Sequence, residues 1–122
     1  MARVLVADDE PDIVRLVTTV LEMAGHEVLT ATDGAEAVAA AVKERPDVIV
    51  LDIMMPNVDG LTALGQLRKG PVTKDIPVLL LSAKKSPLDT EIGMKAGAAG
   101  YLTKPFDRRE LASEVKRLTT SQ

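Results

Sequence analysis

Short apolar runs alternate with longer amphipathic stretches five times along the chain. Residues 3–7, 48–51 and 78–81 are almost wholly apolar, which is typical of strands that are covered on both faces of a parallel sheet. Residues 28–31 and 99–102 also contain Thr, Gly or Tyr, and this mixed composition places them at the sheet edges. The pattern therefore predicts five strands, three of them interior.

The stretches that follow the first three strands carry helical spacing and helix-start residues. Pro11 suits a first helical position, with Asp9 or Glu10 as the cap. Asp33 and Asp59 are predicted to cap the second and third helices. Each strand is thus followed by a helix, as in βα units.

The sequence predicts the last two helices with unequal clarity. Residues 88–96 form the weakest predicted helix because Gly93 interrupts them. The final helix is predicted over residues 107–118, and residues 119–122 are expected to form a frayed tail.

The alternation defines an α/β fold, a single doubly wound (βα)5 flavodoxin-like domain with the parallel strand order 2-1-3-4-5. The 122 residues are expected to form one domain over 1–122. All carboxyl ends of the strands open at one rim, and such sheets bind ligands where the strand order reverses.

Composition excludes several classes of function. With no cysteine, the chain has neither a disulfide framework nor a thiolate metal site. A net charge of -3 gives no electrostatic reason to expect direct contact with nucleic acid. No apolar run has the length of a membrane span and no signal-peptide pattern opens the chain, so we expect no membrane contact and a cytoplasmic location.

Charged or hydroxyl residues follow four of the predicted strands at the shared rim. Asp8 and Asp9 follow the first strand, and Asp52, Ser82 and Lys104 follow the third, fourth and fifth. Two carboxylates about 4 Å apart repel by about 4 kcal/mol at an effective dielectric of about 20. Mg²⁺ relieves such repulsion through oxygen ligands and shares its remaining positions with phosphate. The pattern predicts a site for phosphate chemistry.

Asp52 is the candidate nucleophile, because a strand-end carboxylate beside a metal can attack phosphorus and form an aspartyl phosphate. Asp8 and Asp9 would hold the cation. Lys104 would neutralise phosphoryl oxygens, and Ser82 would donate a hydrogen bond to them. Taken singly, the acids are equally typical of a helix cap, the serine of a turn and the lysine of a loop. Only the joint placement of these residues at one rim favours a role in phosphate chemistry.

Six motifs occur in one order from end to end of the chain. They are Asp-Asp-Glu-Pro at 8–11, Leu-Asp-Ile-Met-Met-Pro at 51–56, Gly60, Leu-Ser-Ala-Lys at 81–84, Ala-Gly-Ala at 96–98 and Tyr-Leu-Thr-Lys-Pro-Phe at 101–106. In these motifs the chain resembles the receiver domains of two-component response regulators, which are CheY-like.

This resemblance implies that Asp52 accepts a phosphoryl group from a sensor histidine kinase or a phosphotransfer protein. It further implies that Mg²⁺ is held by Asp9, Asp52 and the backbone carbonyl of Met54, with Asp8 acting through water. The only chemistry would be phosphorylation and dephosphorylation of the domain itself, so the chain is not expected to be an enzyme.

A switch is also implied by the resemblance. The phosphoryl group would draw Ser82 and Lys104 inward, and the ring of Tyr101 would turn inward behind Ser82. The surface of the fourth helix, fifth strand and fifth helix would then change to control an effector protein or an output domain outside this sequence. The Lys104–Pro105 peptide is expected to be cis.

One departure from the pattern concerns assembly. Ala98-Ala99-Gly100 stands where DNA-binding receivers of the winged-helix class often place an acidic pair before the tyrosine. Without these acids a salt-bridged dimer is disfavoured, and we expect a monomer or weak dimer.

Three other functions compete. A phosphatase of the haloacid dehalogenase type needs a second acid two residues after its nucleophile, where Met54 stands. A flavodoxin-like nucleotide or flavin binder needs glycine-rich phosphate loops that are absent, and only Tyr101 and Phe106 could stack on a flavin. A non-phosphorylated docking pseudo-receiver is disfavoured because every phosphorylation position is occupied.

Overall fold

The computed structural model describes residues 2–84 and 86–120. Within this part of the chain, five strands alternate with five helices. The elements are β1 (Arg3–Ala7), α1 (Pro11–Met23), β2 (Glu27–Ala31), α2 (Gly34–Glu44), β3 (Val48–Asp52), α3 (Gly60–Lys69), β4 (Val78–Ser82), α4 (Pro87–Lys95), β5 (Gly100–Thr103) and α5 (Arg108–Thr120). The predicted α/β class is confirmed.

The strands form one parallel sheet in the order β2-β1-β3-β4-β5, as predicted. Asp52 pairs in register with Leu81, and Ser82 pairs with Thr103. The carboxyl ends of β3, β4 and β5 are therefore nearly level, and residues that follow them share one rim.

Strand β3 serves two hydrophobic cores. Val48 and Val50 pack in a cluster with side chains of α1 and α5, whereas Ile49 and Leu51 pack in a cluster with side chains of α2 and α3. All five residues of β3 are buried. Dense packing on both faces fixes the strand end that carries Asp52.

The predicted helix starts are largely confirmed. The Asp33 carboxylate accepts a hydrogen bond from the Glu36 backbone N–H at 2.8 Å, and Asp59 accepts one from Thr62 at 2.8 Å. Glu10 occupies the cap position of α1, but its side chain makes no capping hydrogen bond. That side chain is free to act elsewhere.

Helix α4 begins at Pro87, one residue earlier than predicted, because Ser86 caps it. Gly93 is buried within it, and a Cβ there would lie 2.8 Å from Leu80 Cδ1 and 3.1 Å from Tyr101 Cδ2. The glycine that weakens this helix in isolation therefore lets it pack closely against β4 and β5.

Helix α5 continues to Thr120, so the prediction that the helix ends at residue 118 was wrong for residues 119–120. The Thr119 and Thr120 hydroxyls donate to the Lys116 carbonyl and help to satisfy this last turn. Residues 121–122 of the predicted tail lie outside the described residues. Among the helices of the described chain, none is long and apolar enough to cross a membrane.

Candidate functional site

Four strand ends bring a charged or hydroxyl side chain to the same rim. Asp8 follows β1, Asp52 and Ser82 end β3 and β4, and Lys104 follows β5. Asp8, Asp52 and Ser82 are 0%, 2% and 0% exposed. Because buried carboxylates need partners, the described part of this rim depends on an ammonium group that pairs with them.

Lys104 supplies that ammonium. Its Nζ lies 2.9 Å from Asp8 Oδ2, 3.1 Å from Glu10 Oε1 and 3.4 Å from Asp52 Oδ1. Its backbone N–H donates to the Ser82 carbonyl at 2.7 Å, which ties the residue to the end of β4. The ends of the first, third, fourth and fifth strands thus meet at this residue, with the acids at the ammonium and Ser82 at the backbone N–H.

Burial and charge set the pKa values at this cation. Burial, with the neighbouring Asp8 charge, raises the pKa of Asp52 from its ordinary 3.8 to about 6, although Lys104 opposes this rise. Burial disfavours the Lys104 ammonium, but hydrogen bonds to Asp8 and Glu10 outweigh this effect and raise the pKa of Lys104 to about 12. At neutral pH an ionised Asp52 therefore faces a firmly protonated lysine.

The carboxylates of Asp8, Glu10 and Asp52 form a group that could hold a metal ion. Each offers an oxygen, and these oxygens lie within 4.8 Å of one another. From its position in the sequence, Glu10 is predicted only as a candidate helix cap. Asp9 is exposed and lies outside this group, so its role as a metal ligand stays a prediction. Three carboxylates around the one Lys104 ammonium leave an excess of negative charge.

The connection after β3 adds a backbone donor and a carbonyl. The Met54 backbone N–H donates to the Asp52 carboxylate, while the Met54 side chain is 61% exposed. The Met54 carbonyl stays a predicted metal ligand. The Lys104–Pro105 peptide is cis, as the resemblance implied.

A chain of hydrogen bonds links Ser82 to Tyr101 through one residue of the backbone. Ser82 Oγ accepts from the Lys84 N–H at 3.0 Å, and the Tyr101 hydroxyl donates to the Lys84 carbonyl at 2.7 Å. The half-buried Tyr101 ring lies beside Gly93. The two residues with predicted switch roles are therefore connected, although the switch itself stays a prediction.

Comparison with known proteins agrees with this arrangement. The model of the response regulator receiver domain family matches residues 4–116. The chain is 48% identical over 118 residues to the DNA-binding dual master transcriptional regulator RpaA of Synechocystis sp., covering 97% of this chain and 49% of RpaA. It is 42% identical over 115 residues to protein PilH of Pseudomonas aeruginosa, covering 94% of this chain and 95% of PilH.

Among solved structures, the receiver domain of sensor histidine kinase PA1611 from Pseudomonas aeruginosa superposes with a TM-score of 0.91 at 31% identity, covering 98% of each chain. That structure has a magnesium ion coordinated in its active-site cleft. Buried acids and a lysine at the rim of a five-stranded parallel sheet define a CheY-like receiver. The chain belongs to the response regulator receiver domain family, and it spans about half the length of relatives such as RpaA.

Proposed function

We propose that this domain accepts a phosphoryl group on Asp52 from the phosphohistidine of a sensor histidine kinase or phosphotransfer protein. The observation that carries the proposal is the buried Asp52 carboxylate, 3.4 Å from the Lys104 ammonium at the sheet rim. The family relationship adds to this, because receiver domains of response regulators interact with histidine kinases and effectors.

The residues at the rim fit a Mg²⁺ ion. Oxygens of Asp8, Glu10 and Asp52 lie within 4.8 Å of one another, and Mg²⁺ prefers such hard oxygen ligands. Asp8, Asp9, Asp52 and the Met54 carbonyl would hold the ion, and Glu10 adds a further carboxylate. When bound, Mg²⁺ neutralises negative charge on the transferring phosphoryl oxygens.

The chemical step needs little from the protein beyond positioning and charge. A carboxylate oxygen of Asp52 forms the new P–O bond while the P–N bond of phosphohistidine breaks. The imidazole leaves with the electron pair and regains a proton from solvent. Lys104 stays protonated throughout and stabilises the phosphoryl oxygens beside Asp52. The product is an aspartyl phosphate, and its hydrolysis returns the carboxylate, so the chemistry is confined to the domain itself.

The Ser82 hydroxyl connects phosphorylation to the output surface. When it turns to donate to a phosphoryl oxygen, it gives up the hydrogen bond that it accepts from the Lys84 N–H at 3.0 Å. The Lys84 carbonyl, which holds the Tyr101 hydroxyl at 2.7 Å, lies on the same short segment. Release of Lys84 therefore reaches Tyr101 and the α4–β5–α5 surface.

The first test is phosphorylation with a small donor. The protein is incubated with acetyl phosphate and Mg²⁺, and its intact mass is measured for the wild type and for Asp52→Asn, with and without chelator. We expect a gain of one phosphoryl group only in the wild type with Mg²⁺. A gain that survives in Asp52→Asn refutes the proposal, and no gain in the wild type favours a docking pseudo-receiver instead.

The kinase is expected to dock where α1 meets the start of α5. An apolar groove of about 550 Å³ lies there, lined by Leu16, Val20 and Met23 and flanked by Arg15 and Arg108. Met23 is 84% exposed although it is apolar, which is typical of a surface that a partner covers.

Met23→Arg should therefore slow phosphotransfer from any histidine kinase that phosphorylates the wild type, by about tenfold, because one unfavourable interface residue removes about 1.4 kcal/mol of affinity. Phosphorylation by acetyl phosphate should be unchanged. The matched control is Val42→Arg on α2, another exposed apolar residue at 49%. Equal slowing by both variants, or slowing with acetyl phosphate, would show that the groove has no such role.

Output is expected through an effector protein or an output domain outside this sequence, and the domain itself acts as a cytoplasmic monomer or weak dimer without direct contact with nucleic acid. Arg117 supports the monomer, because its guanidinium is used within the chain. It donates to Glu114 Oε1 at 2.8 Å and to the Ala99 carbonyl at 3.1 Å, so its charge is already paired on the α5 face.

A further inference from the structure

The connection between β3 and α3, residues 53–59, is held from the side by the first turn of α2. The Gly34 backbone N–H donates to the Val58 carbonyl at 2.9 Å. The Asn57 side-chain amide donates to Asp33 Oδ2 at 3.1 Å. We call these four residues the loop clasp. They join two connections that are 24 residues apart in sequence.

The two carboxylate oxygens of Asp33 accept hydrogen bonds from different partners. Its Oδ1 accepts from the Glu36 N–H at 2.8 Å and caps α2, while its Oδ2 accepts from Asn57. These two hydrogen bonds lower the pKa of Asp33. Asn57 has a φ of 65°, a left-handed conformation that asparagine adopts more readily than most residues.

Two glycines permit this close approach. A Cβ on Gly34 would overlap the Val58 carbonyl oxygen and lie 2.8 Å from Val58 Cγ1. A Cβ on Gly60 would overlap the Asp52 carbonyl oxygen and lie 2.7 Å from Ile53 Cα. The loop is therefore enclosed between the first turn of α2 on one side and the end of β3 on the other.

The other anchors of the loop lie mainly at its two ends, where the Met54 N–H donates to the Asp52 carboxylate and the Gly60 N–H donates to the Ile53 carbonyl at 2.8 Å. Ile53 is fixed by a hydrogen bond from its N–H to the Leu81 carbonyl at 3.0 Å, and Met55 is buried at 8% exposure. Met54 lies between them with its side chain 61% exposed. The path of the backbone on the far side of Met55 depends on the loop clasp.

We propose that the loop clasp positions the Met54 backbone for the cation of the phosphorylation site, which makes Asp33 and Asn57 positioning residues for Mg²⁺. This inference rests on the proposed function. Mg²⁺ demands near-ideal octahedral geometry, so a loop that loses its lateral anchor holds the carbonyl ligand less accurately. Neither Asp33 nor Asn57 belongs to the group of carboxylates around Lys104.

The test compares variants that remove the Asn57–Asp33 hydrogen bond of the loop clasp but keep local structure. Asp33→Ser retains a capping residue, and Asn57→Gly retains the left-handed conformation. The control Asp59→Ser removes the same charge from the cap of α3, where the Asp59 carboxylate accepts from the Thr62 N–H and takes part in neither hydrogen bond of the loop clasp. Mg²⁺ binding is followed by ¹⁵N NMR titration of each protein.

We expect Asp33→Ser and Asn57→Gly each to weaken Mg²⁺ binding by about threefold to tenfold, somewhat below the effect of losing a partner that touches a ligand directly. Asp59→Ser should stay within about twofold of the wild type. The double variant should be no weaker than the stronger single variant, because both substitutions remove the same hydrogen bond. Backbone relaxation should show greater mobility of residues 54–58 in the clasp variants alone.

The outcomes separate this inference from the proposed function. If the wild type binds Mg²⁺ and the clasp variants bind it as tightly as Asp59→Ser does, the inference is overturned and the proposed function still stands. Wild-type protein that binds no Mg²⁺ overturns both. Additive losses in the double variant also overturn the inference, since the two residues would then act separately.

Discussion

Replacing Asp52 by asparagine is expected to stabilise the fold at neutral pH in the absence of Mg²⁺, even though it removes the proposed phosphoacceptor. Burial and the Asp8 charge raise the pKa of Asp52 from 3.8 to about 6. For a carboxyl that is only 2% exposed, this rise corresponds to roughly 3 kcal/mol of lost stability when the group is ionised. Asparagine keeps the shape of the side chain and removes the charge, so unfolding free energy should rise by about 1–3 kcal/mol.

The pH dependence of this stabilisation follows from the direction in which the pKa of Asp52 is shifted. Because the folded protein binds this proton more tightly than the unfolded chain, wild-type stability is lost as pH rises from about 4 through about 6. The advantage of Asp52→Asn should be absent near pH 4 and complete above about pH 7. Urea unfolding with chelator across this range measures it.

Asp12→Asn is the matched control for this pH series. The Asp12 side chain is 94% exposed and makes a 3.5 Å ion pair with the exposed Arg15, so the effect of Asp12→Asn should stay within about 0.5 kcal/mol at every pH. If Asp52→Asn is less stable than the wild type at pH 7, or changes the unfolding free energy by the same amount at every pH, burial and the Asp8 charge do not raise the pKa of Asp52.

Gly60→Ala should be among the most damaging single substitutions in the chain. The new Cβ would overlap the Asp52 carbonyl oxygen and lie 2.7 Å from Ile53 Cα. Backbone atoms at the end of β3 cannot move away without displacing Asp52, the proposed phosphoacceptor. We expect a loss of about 3 kcal/mol in unfolding free energy and strongly reduced phosphorylation by acetyl phosphate. Urea unfolding and intact mass measure the two effects.

Gly65→Ala is the control because it makes the same change within the same helix. Apart from the backbone of its own helix and its two chain neighbours, no described atom lies within 4 Å of a Cβ at Gly65, so alanine there should stabilise the protein by up to about 1 kcal/mol through its better helix propensity. If Gly60→Ala unfolds at the same urea concentration as the wild type, the close contact between α3 and β3 is not what requires glycine.

Most of the fold could be predicted from the sequence because local patterns decide it. Continuous apolar runs identified the buried strands, and mixed runs correctly placed β2 and β5 at the edges. Asp33 and Asp59 were recognisable as caps, since an acid before a helix accepts hydrogen bonds from residues three positions away. The end of α5 was misjudged because short-range threonine hydrogen bonds extend that helix.

The candidate site was predictable only in part. Strand-end positions indicated Asp8, Asp52 and Lys104, because a parallel sheet brings such ends together. Glu10 was missed, since its contact with Lys104 spans 94 residues and its sequence position resembles an ordinary cap. The side-chain contact between Asp33 and Asn57 was hidden for the same reason. Long-range side-chain directions are not encoded in local spacing.

The meeting of four strand ends around Lys104 has a consequence during biosynthesis. The Lys104 ammonium pairs with a carboxylate that precedes it by 96 residues. A nascent chain on the ribosome holds both Asp8 and Asp52 long before their counter-charge has been translated. The cluster around Lys104 can thus be completed only as the final βα unit is added, and an incomplete chain carries Asp8 and Asp52 without the ammonium group that pairs with them.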